Sequence, residues 1–371
     1  MIYIDVSSAV HAKAGIGRYA ESLARALIAR QPERFALFYN RGKGTVPPRG
    51  LEDVPRRTVR AGYKPWRMAV WLGQLAGVGF NRLFPDAELF HATEHLLPPL
   101  DGVPTVLTVH DLIFKLFPQH QKRLNYWYLN ATMPLYCRRA GAIITVSRCS
   151  RDDIVRHYGL DPAKVVVIYE AASPEFTPPP PAAVEAVRRR YGLPERFLIH
   201  VGTIEPRKNL IRLVEALQRL RDEGVVIPLL LVGGKGWLYG DFFRRLEALE
   251  VREDVRLTGY VPAADLPFLL GAATVAVMPS VYEGFGLPVL EAMACGTPVV
   301  CSGTSSLPEV GGEAALYFDP YDVAAMAEAI RRVWADADLR AEMRQQGLQQ
   351  AARFSWERAA AETEKVYNRL L

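Results

Sequence analysis

Cysteine is scarce in this chain of 371 residues: there are four, at Cys137, Cys149, Cys295 and Cys301, and no two form a C-x-x-C pair. Nothing there points to a disulfide framework, and the four are read as reduced, buried and cytosolic. Long apolar runs are also lacking. The longest weakly polar stretch, Met68 to Phe80, contains Gln74 and three glycines. It is too short for a membrane span of about 20 residues. The chain opens directly on an apolar segment, Ile2 to Val6, without the charged and apolar regions of a signal peptide, so none is expected. No short-period repeat is present. Charge is mixed, with 45 Lys and Arg against 40 Asp and Glu, a net +5. Without a block of one sign, nucleic acid is not an expected partner. A modest positive balance suits an anionic substrate or an anionic membrane surface.

What is present is enough apolar material for two cores. Half of the residues are hydrophobic, and the length is generous for one domain and comfortable for two. Apolar runs alternate with amphipathic stretches, the pattern of a parallel α/β sheet. Strands are predicted at 2–6, 35–39, 87–91, 104–109, 142–146 and 165–169, then at 197–201, 228–232, 255–258, 273–278, 297–301 and 315–318. Helices are predicted at 17–30, 209–222, 241–248, 287–294 and 322–334, with a last one from Trp356 to Leu371 that has Ser355 as its N-cap. The proline run Thr177 to Pro181 reads as an extended linker. It divides the chain into 1–176, a linker at 177–184, and 185–354, with 355–371 as a tail.

The most informative segment is Glu283 to Glu291, EGFGLPVLE. Gly284 and Gly286 let the backbone approach a ligand closely, Pro288 suits a first helical turn, and Val289 to Ala294 continues as helix. A helix N-terminus offers unpaired N–H groups and partial positive charge, so it favours phosphate. Carboxylates do not bind phosphate. Glu283 on the loop and Glu291 one turn into the helix are therefore assigned to sugar or ribose hydroxyls. The segment follows the apolar run Ala273 to Met278, which puts it at the carboxyl end of a strand, where open α/β sheets bind ligands. A glycine-rich turn kept only for packing is the competing reading.

A second segment, Glu205-Pro206-Arg207-Lys208-Asn209, follows the strand at 197–201 through Gly202. Arg207 supplies a planar fork of donors and Lys208 a compact charge, which together match a diphosphate. Asn209 is the expected N-cap of the next helix. A solvated basic turn is the alternative. Breaking a sugar–diphosphate bond leaves negative charge that must be stabilised. Asp336-Ala337-Asp338, the clear D-x-D pair, reads as a solvated helix end. The cationic pair and the helix N-terminus are expected to serve instead, without metal.

The stretch Pro279 to Val300 resembles the signature of the retaining GT-B glycosyltransferases of family 4. Val201 to Leu210 (VGTIEPRKNL), Gly15 to Tyr19 (GIGRY), Thr108 to Leu112 (TVHDL) and Ile144 to Ser150 (ITVSRCS) extend the resemblance over essentially the whole chain. The E-x7-E motif of that family matches Glu283 and Glu291. The resemblance implies an α/β GT-B fold. Two Rossmann-like parallel-sheet domains would face each other across a cleft, the first binding acceptor and the second nucleotide-sugar. The C-terminal helix would cross back to the first domain.

By the same resemblance the chain is a retaining, metal-independent hexosyltransferase. It would move sugar from a nucleotide-diphosphate donor to a hydroxyl of a glycan or lipid-linked acceptor, with no cofactor, in the cytoplasm. The TIEPRKN form is common among mannosyltransferases, so GDP-mannose is the first choice of donor, with UDP- and dTDP-sugars open. His110, at the end of the strand 104–109, would lie beside the transferred sugar as base or as positioning group. The catalytic set is then His110, Glu283, Arg207 and Lys208. Donor contacts add Gly15, Gly17, Gly202, Gly284, Phe285, Gly286, Leu287 and Glu291, with Tyr260 and Val261 at the base. Arg18, Tyr19 and Asp111 are assigned to the acceptor.

Gly15 to Ala20 also fits the dinucleotide pattern G-x-G-x-x-A. The glycines lie nine residues past the first strand, and the second strand ends in Asn40 instead of an acid. The resemblance implies instead a flexible loop near diphosphate and acceptor, which is the better reading. His91 and His95 form H-x-x-x-H on a strand-to-loop segment, where metal binding is not expected. Tyr63 to Trp71 and Lys115 to Tyr128 mix cations with aromatics, as a membrane-facing surface, an acceptor-site wall or an ordinary helix face would. A sugar-nucleotide epimerase of the same fold, and a non-catalytic nucleotide-sugar-binding partner of another transferase, are the rival functions.

Overall fold

The computed structural model describes residues 1–11, 14–42, 45–48 and 50–371. The chain forms two compact units, Met1–Glu170 with Ser355–Leu371, and Ala171–Phe354. The first is built on seven strands: β1 (Ile2–Asp5), β2 (Phe35–Asn40), β3 (Arg56–Val59), β4 (Leu89–Ala92), β5 (Thr105–Thr108), β6 (Ala142–Thr145) and β7 (Val165–Val167). Their order is β3-β2-β1-β4-β5-β6-β7. The second is built on β8 (Leu198–Val201), β9 (Leu229–Val232), β10 (Val255–Gly259), β11 (Val275–Met278), β12 (Val299–Ser302) and β13 (Ala315–Phe318), in the order β10-β9-β8-β11-β12-β13. Every pairing in both sheets is parallel.

Parallel strands covered by helices on both faces are buried on both faces, which is why they read as unbroken apolar runs. Every residue of β2, β4, β5, β9, β11 and β12 is buried. The strand missing from the sequence reading is β3. It reads Arg-Arg-Thr-Val, sits at the sheet edge and leaves both arginines exposed, so it carries no apolar run to detect. Each sheet reverses direction beside its first strand, between β1 and β4 and between β8 and β11. The crevice outside the carboxyl ends of the strands at such a reversal is where doubly wound sheets take ligands.

Three expectations change. The helix Ala14–Arg30 starts three residues early, so Gly15 to Arg18 form its first turns and are not a flexible loop. The proline run is not a linker over 177–184: Pro181 opens the helix Pro181–Tyr191, where its missing N–H costs no bond. The division falls earlier, between Glu170 and Ala171, and Pro179 packs on Gly271 inside the second unit. Asn209 stands before the helix Leu210–Asp222 but does not cap it with its side chain.

The last helix, Trp356–Leu370, belongs to the first unit, as the resemblance implied. Ser355 caps it by accepting from the Arg358 amide at 3.1 Å, and Glu364 pairs with Arg30 at 3.0 Å. Asp336 caps the helix Ala337–Ala351 by accepting from the Leu339 amide, so the D-x-D pair is a helix start. None of the four cysteines is in a disulfide, and Cys149 is half-buried where burial was expected. Among the described residues no helix is long and apolar enough to cross a membrane.

Candidate active site

In the second unit, the loops leaving β8 and β11 meet at the switch point. Asn209 has a left-handed backbone, φ +56°. This frees its side chain to reach across, where Nδ2 donates to the carbonyl oxygens of Pro279 (3.0 Å) and Pro320 (2.7 Å). The Val281 amide donates back to the Arg207 carbonyl at 3.0 Å. So tied, the loops bring three predicted site residues together. Lys208 Nζ donates to Glu283 Oε1 at 2.7 Å. Arg207 Nη1 lies 2.7 Å from Glu283 Oε2 and donates to the Tyr282 carbonyl, while Nη2 donates to Glu205 Oε1 at 2.5 Å. Lys208 is 7% exposed and Glu283 8%. Burial disfavours the charged form of Glu283, but Arg207 and Lys208 outweigh it and hold the carboxyl down at about 2.

The sequence reading gave Arg207 and Lys208 to diphosphate and Glu283 to a hydroxyl, as separate contacts. In the fold they form one ion-pair cluster. Arg carries five N–H groups and Lys three, so the cluster retains donors that Glu283 does not use.

Around the cluster, Gly286 immediately precedes the helix Leu287–Ala294 with φ +111°, and a Cβ there would fall 2.8 Å from Leu307 Cδ2. Two serines absent from the sequence reading hold the loop. Ser305 Oγ accepts from the Glu283 amide at 2.9 Å, and the Ser306 hydroxyl reaches the carbonyls of Glu283 and Phe285 at 2.9 and 2.7 Å. Gly284 is buried in this loop. The Phe285 ring is buried edge-on to Phe354, and Glu291 is buried on the helix.

His200, on β8, was also missed. Its Nδ1 hydrogen-bonds the Val277 carbonyl at 3.0 Å, and among the described residues its Nε2 has no hydrogen-bond partner. A Cβ on Gly202 would touch both that nitrogen and Lys208 Cε, at 3.1 and 3.2 Å. Burial, then Lys208, push His200 down to about 4. The ring is thus neutral and presents an acceptor beside Lys208. The signal was available as one polar residue interrupting the apolar run Phe197 to Val201. After β9 and β10, the Tyr260 ring lies over Gly234, where a Cβ would meet it at 2.2 Å. Tyr260 is 76% exposed, and Val261 beside it is half-buried.

In the first unit, His110 follows β5 and is buried. Its Nε2 is 3.0 Å from the Thr93 carbonyl oxygen and its Nδ1 is 3.4 Å from Glu170 Oε1. The Tyr19 ring stands edge-on to His110, with centroids 4.7 Å apart. Tyr19, assigned to the acceptor from the sequence, lies inside the unit. It is 2% exposed, and its hydroxyl bonds Thr108 Oγ1 at 3.1 Å. Thr108 continues to His91 Nε2 at 2.8 Å, and His91 Nδ1 to the Tyr367 hydroxyl at 2.6 Å. This buried chain joins the last helix to the wall behind His110. Arg18 and Gly17 lie in the first turns of the helix before Tyr19, with Gly15 exposed and Gly17 pressed on Ser8, whose carbonyl oxygen a Cβ would meet at 2.9 Å. Asp111 accepts from the Ile113 amide at 2.9 Å.

Two doubly wound parallel units, the second with an Arg–Lys–Glu cluster at its switch point, define a glycosyltransferase of the GT-B kind. The comparisons agree. Residues 14–176 match the family described as Glycosyltransferase Family 4, and residues 184–350 match Glycosyl transferases group 1. O-antigen chain mannosyltransferase B of Escherichia coli is 34% identical over 373 residues, covering 96% of each chain. A serotype-specific mannosyltransferase of Escherichia coli is 30% identical over 74% of this chain and 34% of its own length. The chain belongs to this glycosyltransferase family. Among solved structures, sucrose-phosphate synthase of Thermosynechococcus elongatus superposes with a TM-score of 0.78 at 23% identity, over 100% of this chain and 98% of that one. WaaG, a glycosyltransferase involved in lipopolysaccharide biosynthesis, gives 0.72 at 18% identity over 96% of both chains. At those identities the likeness concerns the fold.

Proposed function

We propose that this glycosyltransferase transfers mannose, with retention and without metal, from GDP-mannose to a hydroxyl of a lipid-linked or free polysaccharide. The observation that carries the reading is the Arg207–Lys208–Glu283 cluster at the second switch point. It offers cationic donors for the two charges on a departing diphosphate beside a carboxylate able to accept from a sugar hydroxyl. The likeness, over nearly the whole chain, to an O-antigen chain mannosyltransferase supports the choice of sugar and polysaccharide. A thermal-shift series with GDP, UDP, dTDP and ADP, with and without EDTA, tests the donor. Stabilisation by GDP that EDTA leaves intact supports it, and selective stabilisation by another nucleotide replaces the donor assignment. Transfer of labelled mannose to isolated glycolipid tests the reaction, and the anomeric configuration of the product tests retention.

The acceptor side adds an expectation. On the helix Tyr63–Ala76, Met68, Leu72 and Leu75 recur at helical spacing and are exposed. Leu124 and Trp127 are exposed on the helix Arg123–Arg139, which joins the first helix through Arg67 over the Tyr128 ring. Lys64, Lys122 and Arg123 are exposed on the same two segments. We assign this apolar, cation-fringed face to an anionic bilayer carrying the acceptor. Co-sedimentation with phosphatidylglycerol vesicles, lost in Leu75→Asp with Trp127→Ser, checks it; equal sedimentation of the double variant rules it out.

A further inference from the structure

Both ring nitrogens of His110 face oxygens that only accept: the Thr93 carbonyl at Nε2, 3.0 Å away, and Glu170 Oε1 at Nδ1, 3.4 Å away. A neutral imidazole has one N–H and can satisfy one of these. Its other nitrogen would aim a lone pair at an oxygen lone pair. His110 is 6% exposed and Glu170 5%, so the conflict arises where electrostatics are strong. A second ring proton removes it. His91 provides the contrast, since its two nitrogens meet the hydroxyls of Tyr367 and Thr108, which accept or donate as required. Burial, and then the neighbouring His110, push His91 down to about 3, so it stays neutral.

We infer that Glu170 is a positioning residue that keeps His110 doubly protonated, so that His110 serves transfer as a fixed cation and not as the base that takes the acceptor proton. This rests on the assignment of His110 to the reaction. The groups around the ring are consistent with it. Asp111 adds a second negative charge, Tyr19 packs its ring edge-on, and the His95 ring stands 6.3 Å away. Burial works against the charge on His110, but Glu170, the Thr93 carbonyl and Asp111 together raise the imidazole above its ordinary value.

Glu170 stands three residues past the end of β7 and belongs to none of the motifs that carry the family resemblance. The conservative probe is Glu170→Gln. The amide keeps the side chain's shape and can donate to Nδ1, which allows a neutral ring with its proton on Nε2.

The test is nitrogen-15 NMR of histidine-labelled full-length protein at about pH 7.5, well above the ordinary histidine value, with the His110 signals assigned by their loss in His110→Asn. The expected result is two protonated nitrogens on His110 in the wild type and one, on Nε2, in Glu170→Gln. A singly protonated ring in the wild type, or a titration that Glu170→Gln leaves unmoved, overturns the inference. This readout needs no substrate, so a wrong donor assignment cannot mimic its failure. With donor and acceptor in hand, the pH profile adds the second arm. Activity should fall as pH rises through the His110 titration, and that falling limb should move to lower pH in Glu170→Gln with the donor KM unchanged. A rate that rises as His110 loses its proton overturns the cationic role.

Discussion

Lys208 Nζ lies 2.7 Å from Glu283 Oε1, although 75 residues separate them in the chain. The contact joins the loop after β8 to the loop after β11, two strands that are neighbours in the sheet but distant in sequence. The switch point is thereby fixed by an ion pair that a ligand can share.

On the proposed function, Lys208 supplies charge where the donor diphosphate would sit. A nucleotide at 100 times its dissociation constant should raise stability by about 2.7 kcal/mol. In Lys208→Ala that gain should vanish in thermal-shift measurements, while the unliganded protein still unfolds cooperatively. Undiminished stabilisation of the variant would remove Lys208 from the donor site.

Glu283 has a folded value of about 2 against an ordinary 4.5. A depressed carboxyl contributes stability that is present above about 4.5 and lost as pH falls toward 2. Removing it also takes the carboxylate partner from buried Lys208 and leaves half-buried Arg207 paired with Glu205. Glu283→Gln is expected to cost on the order of 3 kcal/mol at neutral pH, and the gap to wild type should narrow below about pH 4. Urea titrations at several pH values check this, and a gap that stays constant with pH would show that Glu283 is not the titrating group.

Gly286 combines φ +111° with a neighbour 2.8 Å from any added Cβ. Gly286→Ala should therefore destabilise the second unit by about 1–3 kcal/mol and weaken nucleotide binding, since it displaces the helix N-terminus. Gly240→Ala, where a Cβ meets nothing within 4 Å, is the control that should change little. Calorimetry and nucleotide titration on both variants read the difference.

Tyr367 donates to or accepts from His91 inside the first unit. Tyr367→Phe leaves that nitrogen buried without its hydroxyl and should cost about 1–3 kcal/mol. Unfolding followed by denaturant would show it as a lowered midpoint with an unchanged slope. A variant as stable as wild type would mean the chain from Tyr367 to Tyr19 contributes nothing.

The two-sheet α/β architecture was legible because buried parallel strands are apolar on both faces. Of the thirteen strands among the described residues, twelve announced themselves as short apolar runs, and β3 did not because an edge strand can be Arg-Arg-Thr-Val. Glu283, Arg207 and Lys208 were legible as types of residue at the ends of strands, but their mutual pairing was not. Pro181 misled because a proline that opens a helix and one that prevents a helix look alike until the backbone is seen.

By itself, the sequence determined the apolar strands, several of the helices between them and the two loops assigned to phosphate-type and hydroxyl-type chemistry, because those follow from local periodicity, glycine, proline and charge. Only the tertiary structure decided the partners: Lys208 with Glu283, His110 with Glu170, Tyr19 with Thr108 and Tyr367 with His91. Each pair is set by strand order and by burial, and neither is a property of neighbouring residues along the chain.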